Sequence, residues 1–253
     1  MPQMQPAIGA GGKAKKQSCH YLSPNFHAKS SDPILALMKH PSITINTIDD
    51  LAAGAEALFE LDPRFRVLHE RNGLPRLRRR DGGLAGLAHI VVGQLISTKA
   101  ANSIWARVET ALSPFDVARI SEMQVSDLAS HGLTRAKATA IINAAKAEHA
   151  GTFNFAALAD LDDDHAAAEL KKLRGVGQWT ADIYLVTCLG RRDAWPAGDL
   201  AVRAGVQLFE QLGEVPSITD MPVHGDRWRP WRAVAACYLW GLYASHRQRD
   251  VGI

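Results

Sequence analysis

The stretch LKKLRGVGQWTA, residues 170–181, is the most informative part of the sequence. One helical pattern ends in Gly-Val-Gly and a second begins at once, which predicts two helices joined by a tight hairpin. Glycine permits positive φ and close approach to the backbone, and unpaired N–H groups at a helix start attract anions. With Lys171, Lys172 and Arg174 nearby, such a hairpin can bind one phosphate without reading a base. An ordinary helix corner with glycine as C-cap is the alternative.

The rest of the chain also predicts helices. Apolar residues recur at helical spacing in 47–59, from 62 onward, 84–112 (two helices joined around 94–98), 126–131, 134–148, 161–173, 178–189, 199–212 and 230–243. Asp32-Pro33 is typical of a further helix start. Alternation with a period of two residues is absent over any useful length. We therefore predict an all-α fold.

Composition is that of an ordinary globular protein, with 253 residues of which 47% are apolar and 22% charged. The net charge of +3 comes from residues 1–31, which contain four lysines and no acid. Without them the chain has 25 basic and 26 acidic residues. Global charge is therefore no evidence for nucleic-acid binding, and local patterns must decide.

The three cysteines, Cys19, Cys188 and Cys237, are far apart. This spacing disfavours a structural zinc site, a clustered iron–sulfur site and a disulfide framework, and it fits a reducing cytoplasm. The longest apolar run, 84–97, is too short to span a bilayer, and the N-terminus has no apolar segment of a secretory signal.

Residues 1–31 are rich in Gly, Ala, Ser, Lys and Gln, which predicts a disordered basic tail. Cys19, His20 and His27 lie in it. A metal site there is disfavoured because closed sites need more ligands at tighter spacing.

A second motif, WPAGDLAVR at 195–203, follows the hairpin. Taken alone, an aspartate after glycine at a helix start is an N-cap, and Arg203 is the i+4 partner of Asp199. Its place after the hairpin resembles the layout of the helix–hairpin–helix DNA glycosylase superfamily, and this resemblance implies chemistry at an N-glycosidic bond. Breaking such a bond builds positive charge on the sugar. A carboxylate beside C1′ stabilises that charge and can orient or deprotonate water.

The hairpin resembles the helix–hairpin–helix motif L-x-G-[IV]-G-x-x-T-A. Followed by an Asp-initiated helix with arginine four residues on, it resembles the helix–hairpin–helix DNA glycosylase superfamily over 84–243. The resemblance implies a two-lobed all-α fold with the active-site cleft between lobes, and Asp199 as the catalytic carboxylate. The expected division is a tail, 1–31, and a core, 32–253. Lobe one is 84–190 with the hairpin at 170–186, and lobe two is 32–83 plus 191–253.

The same resemblance implies contacts of the hairpin with DNA. Gly175, Val176, Gly177 and Thr180 are then the DNA-binding residues. The family's hairpin carbonyls also hold a monovalent cation, Na⁺ or K⁺, that bridges to the phosphate. The corresponding carbonyls are those of Lys171, Leu173 and Val176. No organic cofactor is expected.

Trp179 narrows the chemistry. Bifunctional members carry a lysine at this position, in G-V-G-x-K-T-A, whose amine attacks C1′ and leads to strand cleavage. With Trp179 we predict a monofunctional glycosylase that leaves an abasic site. Only Cys188 and Cys237 follow the hairpin, so the four-cysteine iron–sulfur cluster of the endonuclease-III-like branch is not expected.

Trp179 and the C-terminal string RWRPWR…YLW, 227–240, resemble the 3-methyladenine DNA glycosylase II branch, in which an aromatic pocket receives the flipped base. Trp240 matches the pocket tryptophan. The family's pocket tyrosine corresponds to Ile183, so Tyr184, one residue later, is the candidate second wall. Alkylated purines are cationic, and a cation over an indole face gains about 0.5–2 kcal/mol. Core packing is the alternative for these aromatics, and it is favoured for Trp231.

The target base must leave the duplex stack before it can react. The segment GQLIS, 93–97, resembles the family's inserting segment, with Leu95 as the apolar wedge, Gln94 as its polar neighbour and Lys99 as a phosphate contact. Packing between helices is an equal alternative. The arginines at 76 and 78–80 are either phosphate contacts or a solvated charged run. A weaker hairpin, 132–137, is expected to support the fold.

The predicted substrate is double-stranded DNA with alkylated purines, chiefly 3-methyladenine. The protein is expected to be monomeric, without membrane association, in a bacterial cytoplasm or a nucleus. The N-terminal β-rich domain of some branch members is expected to be absent, so the sequence resembles the compact form of the branch. Two rival functions remain: a bifunctional or mismatch-type glycosylase of the same fold, and a non-catalytic DNA-binding module.

Overall fold

The computed structural model describes residues 44–250, with side chains through residue 247. Its α-helices are α1 (Ile48–Leu61), α2 (Arg64–Asn72), α3 (Gly83–Gly93), α4 (Thr98–Leu112), α5 (Val117–Glu122), α6 (Val125–Ala129), α7 (Arg135–His149), α8 (Asp163–Lys172), α9 (Gln178–Thr187), α10 (Leu200–Glu210), α11 (Met221–Gly225) and α12 (Arg232–Asp250). Two 3₁₀ helices lie at Ala156–Asp160 and Asp226–Trp228. Thr44 and Arg191 form an isolated β-bridge.

The predicted all-α fold is confirmed, since the part of the chain described contains helices and no β-strand. Sequence reasoning missed α5 and α11 because a helix of one or two turns is too short to show a hydrophobic period. The predicted tail, Asp32-Pro33, Cys19, His20 and His27 lie outside the described residues. The division into two lobes stays a prediction.

The packing of α10 on α12 matters most for the site. Gly205 of α10 permits close approach, because a Cβ there would lie 2.6 Å from the carbonyl oxygen of Leu239 on α12. Val202 and Val206 of α10 are fully buried. This close pairing brings the N-terminus of α10, with Asp199, beside Trp240 of α12.

An aromatic cluster packs under the same helix pair. Phe65 of α2 stacks on Phe209 of α10 with ring centroids 4.3 Å apart, and it meets Trp228 edge-on at 5.2 Å. Trp228 is fully buried, and its indole N–H donates to Asp62 at 3.0 Å. Buried aromatic side chains contribute large apolar areas to a core, so this cluster fixes α10 near its C-terminal end, at Phe209.

Within residues 44–250, no helix combines the length and apolar character needed to cross a membrane.

Candidate active site

Asp199 is the N-cap residue of α10, and both of its carboxylate oxygens are held. Oδ1 accepts the backbone N–H of Val202 at 3.0 Å and the indole N–H of Trp240 at 2.9 Å. Oδ2 accepts the indole N–H of Trp179 at 2.9 Å. Three elements, α9, α10 and α12, thus converge on one carboxylate. N–H donors and a helix N-terminus stabilise negative charge, so the site is built to hold an anion in a fixed orientation.

The aspartate opens onto a cavity of about 980 Å³. Its lining includes Asp199, Trp179, Ile183 and Trp240, together with the loop between α3 and α4. The structure therefore brings Asp199, Trp179 and Trp240 together at one wall, as the sequence predicts. A cavity of this size can accommodate a base with part of its sugar.

Arg78 occupies the face of Trp240, with its guanidinium carbon 4.7 Å from the indole centroid. Trp240 is only 7% exposed although it lines the cavity. Desolvation lowers the pKa of Arg78, and Asp199 and Cys237 oppose this effect. Sequence reasoning placed this arginine in a charged run and did not assign it to the pocket. A base can stack on this face of Trp240 only after Arg78 leaves it.

The other arginines of the run also make specific contacts. Arg79 donates from Nη1 to the carbonyl oxygen of Thr187 at 2.5 Å. Arg80 lies 3.0 Å from Nδ1 of His89. Arg79 is half-buried and tied to the main chain, so the solvated-run alternative is wrong for this residue, whereas Arg78 and Arg80 are exposed charges that each make one specific contact.

His89 is a cavity-lining group that sequence reasoning missed. An arginine can only donate, so Nδ1 of His89 accepts from Arg80 and the neutral ring carries its proton on Nε2. Burial, and then the charge of Arg80, lower the pKa of His89 to about 4. The imidazole is therefore neutral near pH 7.

The prediction that Tyr184 forms the second pocket wall is wrong. Tyr184 is completely buried, and its hydroxyl accepts the backbone N–H of Gly83 at 2.8 Å. Its ring packs beside Phe155 with centroids 5.9 Å apart. Successive residues on a helix point about 100° apart, so the one-residue offset turns Tyr184 into the core. Ile183 lines the cavity instead.

The hairpin between α8 and α9 has the geometry of an anion site. Gly175 adopts φ +91°, and a Cβ there would lie 2.6 Å from Cβ of Ala140. Gly177 is the N-cap of α9 and gives no side-chain cap. Among the described residues, no partner is found for the backbone N–H groups of Gly177, Gln178 and Trp179. Three donors are thus open at this helix start.

Two of the residues predicted to bind DNA also pack inside the hairpin. The N–H of Val176 donates to the carbonyl of Leu173 at 3.0 Å, and its side chain is buried. The hydroxyl of Thr180 is buried and accepts from Nε2 of Gln94 at 2.9 Å. Both residues support the hairpin from inside, and their contact with DNA stays a prediction.

The loop after α3 presents Leu95 to solvent. Leu95 is fully exposed and has φ +56°, which is unfavourable for a residue with a side chain. Gln94 points the other way, because its amide donates to Thr180 and to the carbonyl of Gly175 at 3.3 Å. Leu95 is therefore placed as a wedge would be, whereas Gln94 is tied to the hairpin. Lys99 is exposed on α4, outside the cavity lining.

Two further side chains lie outside the cavity: Arg203 departs from the sequence-based interpretation, whereas Trp231 packs against the core as predicted. Arg203 does not pair with Asp199: its Nε donates to the carbonyl of Pro216 at 2.7 Å. Trp231 is partly buried against the core, with Arg192 5.1 Å from its ring centroid. Neither lines the cavity.

The helical fold, the hairpin and the Asp199 carboxylate at the cavity wall are typical of one class of DNA repair protein. Residues 88–233 match the family described as "HhH-GPD superfamily base excision DNA repair protein". This match covers more than half of the chain, and the chain belongs to that superfamily.

Two named relatives are similar to this chain in sequence. DNA-3-methyladenine glycosylase 1 of Schizosaccharomyces pombe is 27% identical over 158 residues, covering 61% of this chain and 69% of that protein. The probable bifunctional transcriptional activator/DNA repair enzyme AlkA of Mycobacterium tuberculosis is 30% identical over 207 residues, covering 76% of this chain and 40% of that protein. This chain therefore spans less than half the length of the mycobacterial relative.

A solved structure shows the same fold. The S. pombe 3-methyladenine DNA glycosylase Mag1, in complex with abasic DNA, superposes with a TM-score of 0.66 at 24% identity. The superposition covers 74% of this chain and 95% of that chain.

Proposed function

We propose that this protein is a monofunctional DNA glycosylase that hydrolyses the N-glycosidic bond of alkylated purines and leaves an abasic site. The observation that carries the proposal is the Asp199 carboxylate, held by Val202, Trp179 and Trp240 at the wall of a base-sized cavity. The names of the S. pombe and other relatives support the same substrate class.

Asp199 suits this chemistry because the transition state is cationic. As the bond from C1′ to the base nitrogen breaks, its electron pair leaves with the base and positive charge builds on the sugar. A fixed carboxylate stabilises that charge without reorganising. Water then bonds to C1′ and loses one proton. A cationic N3- or N7-alkylpurine departs as a neutral molecule, so little acid assistance is needed.

The open hairpin supports DNA as the substrate. The N–H groups of Gly177, Gln178 and Trp179 can receive one phosphate, because backbone donors at a helix start favour anions. The fully exposed Leu95 supports extrusion of the base, since an apolar side chain can fill the gap left in the stack. The structural relative bound to abasic DNA agrees with this assignment.

The hairpin carbonyls are oxygen donors of the kind that bind a monovalent cation. Lys171 is the second-last residue of α8, where carbonyls lose their helical partners, and the Leu173 carbonyl uses one hydrogen bond, to Val176. Oxygen ligands of this kind suit Na⁺ or K⁺. Lys171, Leu173 and Val176 would hold the ion, which would supply a positive charge next to the phosphate.

Trp179 argues against a lyase. It is in the position where a bifunctional enzyme needs an amine to attack C1′, and its indole N–H is committed to Asp199. Borohydride should therefore trap no covalent protein–DNA adduct. The fixed orientation of the Asp199 carboxylate likewise argues against a non-catalytic DNA-binding module, which does not need an oriented carboxylate in a cavity.

The experiment that tests the proposal is single-turnover release of 7-methylguanine by Asp199→Asn. Asparagine keeps the N-cap, so the fold is retained, but it removes the negative charge. We expect at least roughly a hundredfold slower release, the scale of losing one electrostatic contact to a transition state, with little change in DNA affinity. Asp162→Asn is the matched control, because Asp162 caps α8 and does not line the cavity. Wild-type release by Asp199→Asn would contradict the proposal.

A further inference from the structure

The loop that presents Leu95 is held in an unfavourable backbone conformation. Helix α3 ends at Gly93, and Leu95 adopts φ +56° before α4 begins at Thr98. A left-handed conformation is unfavourable for a residue with a side chain, so the surrounding structure must fix it. The carbonyls at the end of α3 also lack helical partners. Some other group must satisfy them.

Lys137 is that group. Its Nζ donates to the carbonyl of Val92 at 2.8 Å and to the carbonyl of Gln94 at 2.7 Å. These two oxygens bracket Gly93, immediately before Leu95. Desolvation lowers the pKa of Lys137, and no described carboxylate lies within ion-pair distance of it. The Lys137 ammonium group donates to two main-chain oxygens and has no carboxylate as a partner. Its role is therefore to fix the backbone of the loop and not to neutralise a charge.

The second hairpin holds the same loop from the other side. Lys137 is the third residue of α7, and Thr180 is the third residue of α9. The Lys137 ammonium donates to the main-chain carbonyl of Gln94, and the Thr180 hydroxyl accepts from the side-chain amide of Gln94 at 2.9 Å. The two hairpins therefore use equivalent positions to hold the same residue, Gln94. Leu95 is the next residue along the chain.

We propose that Lys137 is a positioning residue for base extrusion: it locks the backbone at Val92–Gln94 so that Leu95 stands ready to enter the duplex. Lys137 does not touch the lesion or Asp199. This inference rests on the proposed function, since a wedge is needed only where a base must be flipped. It assigns a role to the weaker hairpin, 132–137, beyond support of the fold.

The test uses a duplex with 2-aminopurine stacked beside a stable abasic analogue. Entry of Leu95 into the gap unstacks the 2-aminopurine and raises its fluorescence. At saturating protein, Lys137→Met should give roughly a tenfold smaller change than wild type, because hydrogen bonds from a charged donor are lost at the loop. Leu95→Ala should give the same loss. Lys137→Arg, which can donate to both carbonyls, should keep most of the signal.

Lys146→Met is the matched control, since Lys146 is exposed on the same helix and the charge change is identical. It should behave as wild type. A wild-type signal from Lys137→Met, or no signal from the wild type itself, would overturn the inference. Loss of signal by both Lys137→Met and Lys137→Arg, with a matching fall in melting temperature, would also overturn it by showing a merely structural role.

A second measurement compares excision of 7-methylguanine from paired DNA and from an unpaired bubble. Lys137→Met should lower the paired rate roughly tenfold relative to the unpaired rate, and equal losses on both substrates would count against positioning. The fluorescence experiment involves no bond cleavage, so failure of this inference and failure of the proposed glycosylase activity can be told apart.

Discussion

The two hairpins of this molecule resemble each other in sequence, but only the first has a side-chain cap at the start of its second helix. Before α7, Thr134 caps the helix by accepting the N–H of Lys137 at 3.3 Å. Before α9, the capping position is Gly177, which supplies no side chain. At the turn of the first hairpin, Arg107 lies close to Gly132. A Cβ on Gly132 would lie 2.6 Å from Nη2 of Arg107. The first hairpin, which these two side chains approach, is called the closed hairpin below, and the second, which lacks a side-chain cap, is called the open hairpin.

The difference shows how one motif supports two functions. The first hairpin caps the N–H of Lys137 with its own Thr134, and it supplies the lysine that holds the loop presenting Leu95. The second leaves its amides for an anion and places Trp179 against Asp199. Substitutions that open the closed hairpin, or close the open one, test this division of roles.

The largest effect is expected from Gly175→Ala, which attacks the turn of the open hairpin. Its φ of +91° disfavours a side chain, and the new Cβ would lie 2.6 Å from Cβ of Ala140. We expect a loss of about 2–4 kcal/mol in the free energy of unfolding, measured by urea denaturation, and a loss of DNA binding. Gly151→Ala is the control, because Gly151 also has positive φ but open space around it. If Gly175→Ala costs no more than Gly151→Ala, the turn is not tightly packed.

Next in size is the closure of the open hairpin by Gly177→Asp. No atom lies within 4 Å of a Cβ at this position, and an N-cap aspartate should raise the free energy of unfolding by up to about 1 kcal/mol. The same carboxylate fills the anion site, so DNA affinity should fall at least roughly tenfold. Titration calorimetry and urea denaturation measure the two effects. Gly177→Ala adds no acceptor, so DNA affinity should stay nearly unchanged even though alanine is a poorer N-cap than glycine and lowers the free energy of unfolding. An unchanged DNA affinity in Gly177→Asp would refute an anion site.

A smaller effect is expected from Trp179→Phe, which removes the indole N–H that holds Oδ2 of Asp199. The ring still lines the cavity, so substrate affinity should change little. The single-turnover rate should fall roughly tenfold, the scale of one hydrogen bond to a charged group. Trp231→Phe, outside the cavity, serves as the control. An unchanged rate would mean that the orientation of Asp199 does not depend on α9.

The smallest effect is expected from Thr134→Ala in the closed hairpin. Loss of the cap should lower the free energy of unfolding by about 1 kcal/mol. The excision rate per folded molecule should stay at the wild-type value, because this cap faces no DNA group. A fall in DNA affinity without a fall in stability would show that the first hairpin also binds phosphate.

The sequence was sufficient for the features that depend on local patterns. Gly175, Gly177 and the N-cap Asp199 follow from residue types whose backbone preferences are strong. The prediction for Tyr184 was wrong because a family position was transferred with a one-residue offset. Neighbouring residues on a helix point in different directions, so Ile183 faces the cavity and Tyr184 faces the core. Arg78 and Lys137 could not be assigned, since their partners, Trp240 and the α3 carbonyls, are distant in sequence. The packing of α3, α7 and α12 alone brings them together.

The most direct test of the account uses the wild-type protein and a duplex with a single 7-methylguanine. The strand should stay intact after incubation and break at the lesion only when alkali is added, since hydrolysis leaves an abasic site. Breakage without alkali would show a lyase and contradict the role given to Trp179. An intact strand after alkali would contradict the glycosylase assignment itself.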